Sequence, residues 1–221
     1  MSATNYKTSP DIPDKLLSHY MKQGVIAVDT ELHGLRLLRD EICLVQLCDD
    51  QSTVCLVKPE SEITTPNLKK LMEAPQVLKI FHFALTDVAF FKTSLGIDVA
   101  PFCCTKVMSK LVRTYTDFHG LKDLVAELLD IKIEKQQQQT DWSRTDLNSK
   151  QLKYAAHDVL HLIEVYQHLQ EMLKRRNQLA TGGSLEDLNS KAQAVLPTLV
   201  ELLVNGYGDL DDGWETSLFT H

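Results

Sequence analysis

The sequence predicts an α/β fold, a mixed central sheet flanked by helices with a C-terminal helical tail. Two observations carry this reading. Short runs rich in β-branched residues crowd the chain up to Phe81, and helical periodicity dominates from Ala84 onward. Size is a third: 221 residues with 43% hydrophobic content bury one full core and leave little for a second domain.

Gly24 to Asp29, Ile42 to Cys48 and Thr53 to Val57 read as three neighbouring strands, antiparallel because the connections between them are short. Pro66 opens a helix to Glu73 at a position where its missing N–H does no harm, and Val77 to Phe81 resumes strand character. Helical spacing follows in Thr86 to Leu95, Thr105 to Arg113, Gly120 to Leu129 and one long stretch from Asn148 to about Arg176. Thr181-Gly182-Gly183-Ser184 breaks that pattern, Pro197 begins another apolar helix, and Asn205-Gly206 ends it. The chain thus divides into an N-terminal segment 1–21, a main domain 22–176, and a C-terminal helix and tail 177–221. The run Gln136 to Gln139 reads as a solvated connector.

With 23 basic and 30 acidic residues the net charge is −7, which repels a long polyanion over the surface as a whole. Any nucleic-acid contact must be local, metal-assisted or both. Five cysteines, odd in number and without a C-x-x-C pair, read as buried free thiols in a reducing compartment. The N-terminus lacks an apolar stretch, and no later run approaches the ~20 residues of a membrane span. A soluble cytoplasmic protein with no membrane partner is expected.

Asp29 and Glu31 lie two apart at the end of an apolar strand, so both side chains leave one face of the sheet. They repel one another unless a cation joins them, although an isolated D-x-E equally marks a solvated strand-end turn. Asp87 follows the fourth strand in the first turn of a helix, where any acid suits the helix dipole. Tyr154 and Asp158, four apart, share one helix face, and Ala155 and Ala156 between them permit close approach. The ordered set D-x-E, then D, then Y-x-x-x-D is far more specific than any piece of it.

In these motifs the sequence resembles the RNase D branch of the DEDD 3′-5′ exonucleases, over roughly residues 22 to 175. Phe102-Cys103-Cys104-Thr105-Lys106, Arg113 through Lys122, and Lys135-Gln136-Gln137-Gln138 ahead of Asp141-Trp142 look like nano-RNase C, a bacterial group acting on very short RNA. The resemblance implies an RNase H-like fold and two Mg²⁺ or Mn²⁺ ions. Asp29 would bridge both ions, Glu31 and Asp158 would complete the site of the water-activating ion, and Asp87 would hold the second directly or through water. Tyr154 would orient the attacking water, since a phenol with a pKa near ~10 is a poor base at neutral pH. The sister subtype carries histidine where this chain has Lys153, which favours the tyrosine subtype.

Leu35 stands where related short-RNA nucleases wedge a leucine between two bases; covering the sheet edge is its plain alternative. His82 reads as a structural or supporting group beside the site. Lys106, Lys110, Arg113, His119 and Lys122, with Tyr115 and Phe118 interleaved, form a basic cluster that would cap the 5′ phosphate of a short substrate, or else face solvent. Two departures from the RNase D pattern stand out: Phe83 where most RNase D relatives carry asparagine, which agrees with the resemblance to nano-RNase C, and Leu85-Thr86 before the aspartate, which it does not explain.

The expected substrate is short RNA, dinucleotides among the options, with 5′-monophosphate products. Alternatives are RNase D-type trimming of structured RNA 3′ ends, a DNA exonuclease, and a catalytically silent nucleic-acid-binding scaffold. Nano-RNase C forms octameric rings, so a homo-oligomer is expected, with Trp214 and Phe219 of the tail as contacts.

Overall fold

Three strands joined by short connections form the antiparallel half of a six-stranded sheet, as their spacing in the sequence requires. The computed structural model describes residues 6–60, 64–133, 140–175 and 179–207. In chain order the elements are β1 (Thr8–Ser9), α1 (Asp14–Tyr20), β2 (Val25–Leu32), β3 (Ile42–Cys48), β4 (Val54–Val57), α2 (Pro66–Met72), β5 (Leu78–Phe81), α3 (Ala84–Leu95) and β6 (Phe102–Cys104). There follow α4 (Thr105–Val112), α5 (Leu121–Leu129), α6 (Ser149–Leu160), α7 (Leu162–Arg175) and α8 (Leu185–Val204). The sheet order is β1-β4-β3-β2-β5-β6. β2, β3 and β4 pair antiparallel, whereas β5 and β6 continue from β2 in parallel after helical crossovers.

Both faces of the sheet are covered, which is why every residue of β3 (ICLVQLC) is buried and its sequence is nearly continuous in apolar residues. Ile26 and Val28 of β2 join one core with residues of α1, α2, α3 and α8; Ala27 between them joins another with α4, α5, α6 and α7. This alternation decides which helix each later residue of β2 can meet.

The structure extends or corrects several boundaries. β2 continues through Asp29 and Glu31 to Leu32, because Asp29, Thr30 and Glu31 pair with Gln46, Val45 and Leu44 of β3 and the ladder overrides their polarity. The long helix from Asn148 divides at His161 into α6 and α7. Pro197 lies inside α8; Ser184 caps that helix, accepting from the Asp187 N–H, and Leu196, Leu199, Val200 and Leu203 bury its stripe. β6, only three residues long, and α1 had no period long enough to register. α1 nonetheless buries Leu17 and Tyr20, and the Tyr20 hydroxyl donates to the Thr53 carbonyl at 2.8 Å.

All five cysteines are free and buried. Among the described residues no helix is long and apolar enough to cross a membrane. The Gln136 to Gln139 connector and the tail contacts Trp214 and Phe219 lie outside the described residues.

Candidate active site

Strand parity assembles the site. Asp29 and Glu31 share the parity of Ala27 and turn to the α6 layer, while Thr30 shares that of Ile26 and Val28 and turns to α3. Asp158 and Tyr154 reach the site from α6, where Asn148 and Gln151 form a reciprocal capping box at the helix start. Asp87 comes from the first turn of α3, and Thr30 Oγ1 donates to its Oδ1 at 2.5 Å. Gln151 also bonds Thr140 Oγ1 and the Asp141 carbonyl, which seats buried Trp142 beside Tyr154, ring centroids 6.2 Å apart.

The four acids feel one another. Burial, and then the charges of Asp87, Asp158 and Glu31, hold Asp29 well above the usual carboxylate range. Burial and the charges of Asp158 and Asp87 push Glu31 up to about 9. Burial raises Asp87 and Asp158 to about 7 each, opposed by hydrogen bonds from Thr30 and Tyr154 respectively. The Tyr154 phenol is raised too, first by burial and then by Asp158, so it stays protonated.

Among the described residues no lysine or arginine forms an ion pair with any of the four. An all-oxygen set with mutual repulsion and no balancing side-chain cation fits a hard divalent ion such as Mg²⁺ or Mn²⁺. Among the described residues no three acidic, histidine or cysteine side chains close into a finished cage by themselves. One oxygen of Asp87 accepts from Thr30, and Asp158 is bonded by Tyr154.

Asp29, Tyr154 and Asp158 line a cavity of about 300 Å³ together with His82, Lys106, Lys122 and Asp123. His82 Nδ1 lies 2.9 Å from Thr105 Oγ1, which itself donates to the Phe81 carbonyl at 3.1 Å. The imidazole thus meets the Thr105 hydroxyl through Nδ1 and also engages the backbone of His119. Burial pushes this imidazole down to about 3, so it is neutral at physiological pH.

The basic cluster expected from the sequence divides. Lys106 and Lys122 reach the cavity; Arg113 does not. Arg113 is fully buried, its Nε and Nη2 bonded to Glu127 and its Nη1 to Ser109 Oγ (3.0 Å) and the Phe118 carbonyl (2.7 Å). Direct capture of substrate by Arg113 is thereby corrected: four of its donor contacts are already spent inside the protein. Ser109 Oγ meets His119 Nδ1 at 2.9 Å, so Arg113 braces His119 from behind. Tyr115 is 60% exposed, its hydroxyl donating to Glu127, and Leu35 is 51% exposed beyond the end of β2. Thr30, Ser109 and Glu127 escaped the sequence reading because a lone hydroxyl or surface acid carries no pattern.

Four buried carboxylates and a helical tyrosine gathered at a mixed sheet match the pattern of a nuclease-type site of the DEDD class. Comparison with known proteins agrees, since the model of a family described as 3′-5′ exonuclease matches residues 5–174. The chain belongs to this 3′-5′ exonuclease family, on its RNase D-like branch. It is 35% identical over 158 residues to ribonuclease D of Gluconacetobacter diazotrophicus, covering 72% of this chain and 40% of that protein. Against the structure of Brucella melitensis NrnC it is 37% identical, with a TM-score of 0.85 and 97% of each chain covered. Other structures of that protein carry Mg²⁺ or pGG. Escherichia coli RNase D, at 24% identity and a TM-score of 0.71, shares the fold over 88% of this chain and 51% of its own.

Proposed function

We propose that this protein is a 3′-5′ exoribonuclease that hydrolyses short oligoribonucleotides, dinucleotides included, to nucleoside 5′-monophosphates. The observation that carries the reading is the cavity itself, lined by the acids Asp29 and Asp158, a protonated tyrosine and the two lysines Lys106 and Lys122. The space, about 300 Å³, is at the small end of ligand sites, and a chain of net charge −7 offers little to a long polyanion. The likeness to NrnC, whose structure has been determined with pGG, supports the same scale of substrate.

Asp29, Glu31, Asp87 and Asp158 would hold two Mg²⁺ or Mn²⁺ ions, which supply an activated water and offset charge on the leaving 3′ oxygen. Tyr154 keeps its proton and orients the water by its hydroxyl. Thr30 steadies Asp87, and Trp142 backs the Tyr154 ring. Lys106 and Lys122 would take the 5′ phosphate, and Leu35 and Tyr115 would offer apolar surface to bases. A homo-oligomer, an octameric ring as in nano-RNase C, and a cytoplasmic setting belong to the same reading. Light scattering tests the assembly, and a strict monomer at micromolar concentration removes it.

The decisive experiment is a substrate length series, from dinucleotide to long RNA and DNA, with Mg²⁺ or Mn²⁺, on the parent protein and Asp29→Ala. The parent should favour the shortest RNA, and Asp29→Ala should lose activity throughout. Equal rates at every length, or undiminished cleavage by the variant, refutes the proposal.

A further inference from the structure

Phe83 is held in the left-handed backbone region, φ 71° and ψ 54°, at the N-terminal boundary of α3. L-residues other than glycine avoid this region because Cβ crowds the backbone, and asparagine tolerates it best. An aromatic residue is a poor choice there on conformational grounds, and 40% of this one remains exposed. Strain of this kind persists where a side chain has a task.

The task is visible one helix away. Lys106 Nζ stands 4.2 Å from the centroid of the Phe83 ring, and the same lysine lines the acidic cavity. The second residue of α4 is an adverse place for a cation. It lies in the positive first turn of the helix, which contains no acid, and Lys110 follows it at i+4. No carboxylate pairs with Lys106 among the described residues. The ring face is therefore its partner, and a cation–π contact keeps the ammonium at the cavity without neutralising it, as a carboxylate would.

We propose that Phe83 is a positioning residue whose ring holds the Lys106 ammonium where it meets a non-reacting phosphate of the substrate. The substrate half of this statement rests on the reading under Proposed function. Strain at Phe83 is thus exchanged for an unneutralised cation in the cavity that Asp29 and Asp158 also line.

The test compares the parent with Phe83→Asn, Phe83→Trp, Lys106→Ala and the double variant F83N/K106A, on a 5′-phosphorylated diribonucleotide with Mg²⁺. Phe83→Asn suits the left-handed backbone, so Tm should stay within about 2 °C of the parent or rise. KM should increase about three- to ten-fold, the range of a modest cation–π contact, with kcat within about two-fold. Phe83→Trp should restore KM, and Phe83→Asn should add nothing once Lys106 is alanine. An equal KM increase in the Lys106→Ala background, or a fall in Tm that tracks the loss of activity, overturns the proposal. A readout without substrate separates the two halves: the Lys106 ε-methylene NMR signals should carry an upfield ring-current shift that Phe83→Asn abolishes. Absence of that shift in the parent refutes the positioning itself, whereas a shifted signal in a protein that cuts no short RNA faults the substrate reading alone.

Discussion

Thr30 Oγ1 donates to Asp87 Oδ1 across 2.5 Å, from the face of β2 opposite to that of its neighbours Asp29 and Glu31. The strand thus uses three successive residues to gather acids from both helical layers. Thr30→Val, nearly isosteric, leaves Asp87 buried without its side-chain donor, with backbone hydrogen bonds alone. A hydrogen bond to a charged group is worth about 1.5–3 kcal/mol, so the apparent affinity for Mg²⁺ should fall by roughly ten-fold or more. Activity titrated against Mg²⁺ measures this, and Thr30→Ser should recover most of it.

Repulsion within the quartet implies that the site is held against the stability of the fold. Asp29, flanked by three other acids, is the center of that repulsion. In chelator, Asp29→Asn should unfold higher than the parent, by about 2–4 °C for each kcal/mol relieved. Mg²⁺ should raise Tm of the parent and do so less for the variant, which should lack exonuclease activity. Calorimetry with and without metal reads both, and a lower Tm for the variant in chelator would contradict the electrostatic picture.

Much of this was legible in the sequence because period and order survive folding. The strands 42–48 and 24–29, the crossover helix from Pro66, and the spacing of Asp29, Glu31, Asp87, Tyr154 and Asp158 gave the layered fold and the family. What was not legible depends on parity and burial. Arg113 sits in a basic-looking run, yet the fold buries it; Thr30 is one hydroxyl among many; Pro197 looks like a helix start until Ser184 is seen to cap α8 earlier. Phe83 stood out as a departure, shared with the nano-RNase C pattern, from the RNase D asparagine, and its positive φ supplies the physical reason that asparagine suits the position.

Arg113 should behave as a brace. Arg113→Lys keeps the charge but cannot make the forked contact with Glu127 together with the bonds to Ser109 and the Phe118 carbonyl. Glu127 is partly exposed, so screening reduces the ion-pair share, and the expected loss is about 1–3 kcal/mol of stability. Because the break lies behind His119, KM should rise more than kcat falls. Denaturant unfolding and steady-state kinetics on the same preparations check the pair of outcomes.

Lys79 supplies a pH test remote from the acids. It is buried in β5, and Nζ donates to the carbonyls of Ala74 (2.9 Å), Val77 (2.8 Å) and Ala100 (2.6 Å), so all three ammonium protons are satisfied. Burial still pushes its pKa down to about 8, from the unfolded value of 10.5. Between these values the unfolded chain binds more protons than the folded one, so this residue makes stability rise with pH from about 8 to 10.5. Below about 8 the lysine is charged in both states, and the penalty for burying the charge is fully present. Lys79→Met removes that contribution to the slope but leaves three carbonyls short of a donor, so it should be less stable than the parent at pH 7. Urea midpoints at pH 7, 8, 9 and 10 decide the matter, because other groups titrate equally in both proteins and cancel in the difference. The parent should gain on the variant as pH rises, and a constant difference would mean that the three carbonyls hold the Lys79 pKa near its unfolded value.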